Sequence, residues 1–147
     1  MDYKDLNTAL RTALLTALNG QLTLNNANVP VYDRVPKSIR FPFVVIQLND
    51  TNDEARTKDH MLYNSTTTIN IITGYEGNFG GQADCDSLAD QILQILGNTS
   101  ASYISLGANF EIVTQRLQGN QVSESQTETH YIVQKSLVLT NIINQIN

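Results

Sequence analysis

The chain has 147 residues, enough for one domain whose core needs no disulfide staples. Its hydrophobic fraction of 41% excludes a disordered or fibrous class. The net charge of −5, the pI of about 4.8 and only nine scattered Lys and Arg exclude a protein that grips nucleic acid by its phosphates, which needs a basic face.

Residues 3–18 predict a helix: Leu6, Ala9, Leu10, Ala13, Leu14, Ala17 and Leu18 form one apolar stripe, Asp2 and Asp5 suit the N-terminal dipole, and Asn19-Gly20 supplies a stop. Residues 21–28 are Asn-rich and predict a loop or irregular connection. The run VPVYDRVP predicts a short strand punctuated by Pro30 and Pro36, at an edge or an irregular position rather than a central one. Phe41-Pro42 leads into FVVIQLN, where the continuous apolar run Phe43 to Ile46 predicts a central strand buried on both faces. Residues 50–60, the most polar stretch, predict an exposed connection or hairpin tip. Leu62 to Tyr75 predicts a strand with Tyr63, Ser65, Thr67, Ile69, Ile71 and Thr73 on one face. A glycine-rich turn leads into a helix over 82–96, buried through Leu88, Ala89, Ile92, Leu93, Ile95 and Leu96 and ended at Gly97.

After a loop at 98–107, residues 110–117 predict a strand, 119–128 an extended or mobile polar segment, and 129–140 an alternating strand that NIINQIN extends. The fold class expected is therefore α+β: one domain over 1–147, a mostly antiparallel sheet, and two helices on one of its faces. The other face is left wet or covered by a neighbouring subunit. A charged fraction of only 16% suits a subunit packed in an assembly.

No motif in the chain carries catalytic or ligand chemistry. The glycines at 74, 77, 80 and 81 lack the spacing of a dinucleotide loop and the lysine of a P-loop, and Glu76, Asp84 and Asp86 occupy the place of a phosphate. A calcium loop counted from Asp50 meets Ala55 where glycine is needed and Met61 where glutamate is needed. His60, His130 and Cys85 have no zinc spacing, and there is no nucleophile elbow. Neither an enzyme nor a cofactor or metal site is expected. Cys85, the single cysteine, permits no internal disulfide and reads as a small core residue. The N-terminus lacks the apolar stretch of a signal peptide and no run is long enough to span a membrane, so an intracellular or intraviral protein is expected and the sequons at Asn64 and Asn98 carry no weight.

Taken together, DLNTALRTALLTALNG, VPVYDRVPKS before FPFVVIQL, the Thr/Ile strand entering DSLADQILQIL, and FEIVTQRLQ followed by HYIVQKSLVLT resemble the tail-terminator (tail-completion) family of tailed bacteriophages over nearly the whole chain. The resemblance implies a ring-forming structural protein of the virion's head–tail junction, assembled in the host cytoplasm. Such a ring, usually hexameric, caps the tail tube, meets the neck proteins and lets DNA pass without specific binding. A dodecameric neck ring of a short-tailed phage and a non-viral α+β binding module are the alternatives. The Asn-rich 21–28 and the long 119–128 depart from the family pattern. Under this reading Asp53, Glu54, Arg56 and Lys58, the turn residues Tyr75, Glu76 and Phe79, and Glu124 and Glu128 are the expected subunit contacts.

Overall fold

The computed structural model describes residues 4–35, 37, 40–56, 61–76, 80–97 and 103–146, with backbone alone at 54–56. Helix α1 (Leu6–Leu18) begins where the Asp5 carboxylate accepts a hydrogen bond from the Asn7 N–H at 3.0 Å, a side-chain cap that fixes its start. Leu6, Leu10, Leu14 and Leu18 are its buried residues, one per turn. The stretch 21–28 is not irregular, as its polarity suggested. It holds a small hairpin, β1 (Thr23–Leu24) with β2 (Ala27–Asn28), turned by Asn25 and Asn26 at φ 53° and 66°. Two consecutive left-handed residues make a tight hairpin turn that asparagine tolerates better than other residues with a side chain.

The remaining strands are β3 (Val31–Tyr32), β4 (Phe43–Arg56), β5 (Met61–Glu76), β6 (Phe110–Gln126) and β7 (His130–Gln145), and they form one sheet in the order β3-β4-β5-β7-β6. The four long strands pair antiparallel, whereas β3 pairs parallel to β4. This pairing corrects the reading of 50–56 as an exposed connection, and it bears out the extended form expected of 119–126 and the extension of the last strand by NIINQIN. Residues 50–56 continue β4, residues 119–126 continue β6, and β7 runs on to Gln145. Threonine, serine, asparagine and glutamine serve well on a pleated surface that faces water, so their polarity did not mark strand ends. Nor is β4 central, because only the two residues of β3 flank it. Phe43, Val44 and Ile46 are buried, and Val45 is half-exposed.

Helix α2 (Ala83–Leu96) packs on β5 and β7, while α1 packs on β4 and touches α2. Both helices lie on the same face. Thr51, cross-strand from Ser65, donates to Asn7 of α1, and Thr73, an even number of residues along β5, touches Cys85 of α2. Along β5 every second residue from Met61 to Thr73 is buried, which is the face the sequence assigned to Tyr63, Ser65, Thr67, Ile69, Ile71 and Thr73. That face, with Leu10, Leu14, Leu18, Leu88, Ile92 and Leu96 of the helices, makes one hydrophobic core. The β5–β7 pair is unbroken from Met61 to Glu76, whereas register shifts interrupt β4 and β6. Bulges in the outer strands raise local twist where less packing resists it.

The reversal into α2 turns on Gly80, at φ 106°, with the Tyr75 ring lying where a β-carbon would sit. Gly80→Ala is expected to lower stability by about 1–3 kcal/mol through left-handed strain and displacement of that ring, read as a drop in urea midpoint at constant slope.

Candidate assembly surface

The helix-free face of the sheet is polar and crossed by side-chain hydrogen bonds between strands. Asn70 of β5 accepts from Ser136 Oγ at 2.7 Å and from Gln134 Nε2 at 3.3 Å on β7. Thr68 donates to Asn49 at 2.6 Å, and Asn144 to Glu111 at 3.3 Å. These rungs hold half-buried side chains across a wide, mostly polar surface. On this face Asp50 lies in one row with Thr66, Thr140 and Arg116. Among the described residues neither Asp50 nor Arg116 has an ion-pair or hydrogen-bonding partner for its side chain.

Among the described residues both sheet edges are largely without a pairing strand. β6 forms one edge over its whole length, and Val113, Leu117 and Val122 on it are each at least 40% exposed. On the opposite edge β3 covers only Val44 and Val45 of β4. Beside β6, a groove of about 560 Å³ runs along α2, lined by Leu93, Gln94, Gly97, Gln115, Leu117 and Leu139.

The contact residues expected from sequence divide between the two ends of this sheet. Asp53 is exposed on β4 opposite Tyr63, near the β4–β5 tip. Glu54 and Arg56 extend the same strand, while Lys58 lies outside the described residues. Tyr75, Glu76, Glu124 and Glu128 gather at the far end, about 40 Å away at about 3.3 Å per strand residue. Phe79 is likewise outside the described residues. One surface patch therefore does not hold them all.

At the far end the groups are bonded to one another. The Tyr75 hydroxyl donates to Asp84 Oδ2 at 2.5 Å and lies 3.4 Å from the Gly81 carbonyl oxygen, pinning the turn to the first turn of α2. The tyrosine is thus half-buried in the turn rather than protruding from it. Burial, followed by the Asp84 hydrogen bond and charge, pushes its pKa up to about 12. A raised pKa means the native state favours neutral Tyr75, so its contribution is complete below the ordinary tyrosine value and is lost as pH rises through about 12. Alkaline unfolding is expected to steepen in that window, and Tyr75→Phe to remove the extra slope; circular dichroism against pH reads it.

Glu124, on exposed β6, accepts from Gln82 Nε2 at 2.7 Å, and its bonds to Gln82 and Tyr131 lower its pKa. This ties β6 to the start of α2. Glu128 is exposed in the β6–β7 turn. Glu76, with its side chain 81% exposed, stands 3.5 Å from His130 Nε2, and the other ring nitrogen lies 2.8 Å from Thr129 Oγ1. This carboxylate–imidazole–hydroxyl string resembles a relay in order only, because water competes for each of its bonds at that exposure. His60 lies outside the described residues. Cys85 is fully buried, with Sγ 3.4 Å from Thr73 Oγ1, and burial raises its thiol pKa. It fits the small core residue expected.

Sequence reading missed the edge residues Leu48, Asp50, Arg116 and Leu117. Its available signal was the absence of proline and lysine from 110–126 and from 43–56, since edges meant to stay free commonly carry them. No helix of the described residues is long and apolar enough to cross a membrane. Compared with known proteins, the chain matches no protein-family model and no curated protein at a significant level.

Proposed function

We propose that this protein is a ring-forming structural subunit of a phage head–tail junction, a tail-terminator-like protein that caps the tail tube and joins it to the neck. The reading starts from the sequence resemblance. The observation that supports it is a sheet with one helix-free face and, among the described residues, two edges largely without a pairing strand, more unsatisfied surface than a subunit that acts alone commonly leaves. A hexamer is the expected copy number and a dodecamer the alternative. The partners are further copies of the chain, the tail tube protein and the neck proteins. DNA passes through the opening unbound: the acidic, lysine-poor chain has little with which to hold phosphates. The reading assigns no catalytic residue and no cofactor.

Electron micrographs of the purified protein, alone and mixed with tail tubes, test this. Annular particles with a central opening, or capped tube ends, are expected. Featureless small particles that leave tubes uncapped and still growing contradict it. The α2–β6 groove favours a second reading, a binding module for a small apolar or peptide ligand. A chain that stays monomeric and binds such a ligand would support that reading instead.

A further inference from the structure

Resting on the ring reading, we infer that neighbouring subunits join edge to edge, the β6 edge of one copy adding to the outer edge of β4 in the next as an antiparallel strand pair. The occupant of each edge is a second copy of this chain. Strand direction supplies the first argument. From β4 through β5 and β7 to β6 there are three antiparallel steps, so β4 and β6 run in opposite directions. A copy related by rotation about an axis along the strands keeps its orientation, and its β4 then meets β6 antiparallel with both helix layers on the same side. Such a contact is heterologous, the kind that closes into a ring.

Register supplies the second argument. Across one subunit Leu48, Thr67, Leu139 and Leu117 share a row, and Asp50, Thr66, Thr140 and Arg116 share another. Continuing these rows into the next copy sets Leu117, 45% exposed, opposite half-buried Leu48 on the helix side. On the bare face it sets Arg116 opposite Asp50. The two exposed charges without partners thus neutralise each other, and an exposed leucine gains an apolar neighbour in the same step. Among the described residues β3 pairs with β4 only at Val44 and Val45, and no backbone hydrogen bond to the rest of this β4 edge is made. Neither segment has the proline or lysine that guards an edge.

Two variants test the join. Leu48→Cys combined with Leu117→Cys is expected to oxidise into intermolecular disulfides that link every subunit of the assembled ring, since opposed β-carbons lie about 4.5–5.5 Å apart. Each single cysteine variant should give no linked species. Separately, Asp50→Arg or Arg116→Asp should weaken association about tenfold or more by opposing like charges, and the two together should restore it. Both positions are exposed, so folding, followed by circular dichroism, is expected to be unchanged. Intact rings in which the cysteine pair stays unlinked and both reversals are silent would overturn the edge join and leave the ring reading standing. Dimers linked by Leu117→Cys alone would replace it with a two-fold β6–β6 contact. A wild-type chain that never self-associates, alone or on tail tubes, would overturn the ring reading and this inference with it.

Discussion

Leu137→Ala is expected to lower stability by about 2–5 kcal/mol, the range for emptying a fully buried leucine site. Leu137 is completely buried in β7, opposite equally buried Ile69 of β5, on the face covered by α2 through Leu88 and Ile92. It sits in the unbroken central pair of the sheet, where neither strand can shift to fill a cavity. A domain of this size has about 5–15 kcal/mol in total, so this one substitution removes a large share. Ser136→Ala is the control. Its hydroxyl only completes a rung to Asn70 on the bare face, and losing that bond costs about 0.5–1.5 kcal/mol. Urea denaturation of the two variants should differ clearly; equal losses would mean that the bare face, too, is packed.

The second large effect concerns Lys135, a charged residue 9% exposed on the core side of β7, whose ammonium pairs with Asp86 of α2 at 2.5 Å. Removing the acid leaves a buried ammonium uncompensated. Asp86→Ala is expected to cost about 1–3 kcal/mol, below the usual value for breaking a buried pair, because the Asp86 side chain is 57% exposed and water screens part of the loss. Lys135→Met should be nearly neutral, since a methionine spans the same space between Ile71 and Val122 without a charge to compensate. In the Lys135→Met background, Asp86→Ala should then cost little more. A thermal-melt double-mutant cycle measures the difference. Equal and additive losses from both single variants would show that the pair contributes by packing alone.

Much of this architecture was legible in the residues because burial and periodicity coincide. The four leucines of α1 and the alternation of Tyr63 through Thr73 place the core face directly. The strand ends were not legible. Residues 50–56 and 119–126 carry almost no apolar side chains, yet they pair with β5 and β7, the first across a register shift between Asp53 and Ala55. Such stretches are held mainly by backbone hydrogen bonds and a few side-chain bonds such as Thr51 to Asn7 and Gln82 to Glu124, and those have no signature in composition. The same blindness hid the edge rows of Leu48, Asp50, Arg116 and Leu117, which are neighbours only through the registers of three strand pairs. Tyr75 misled in the other direction. An aromatic in a glycine turn suggested a protruding contact, whereas its hydroxyl is bonded to Asp84 and its ring lies against Gly80.

The claim on which the rest depends is that this chain closes into a ring of its own copies. Native mass spectrometry of the purified protein, with and without short tail-tube segments, measures that directly. One dominant closed species is expected at six times the 16.3 kDa chain mass, or twelve times for the neck-ring form, without a ladder of intermediate sizes. A chain that stays at 16.3 kDa across concentrations and does not load onto tube ends, or one that forms an open-ended series of sizes, would contradict it.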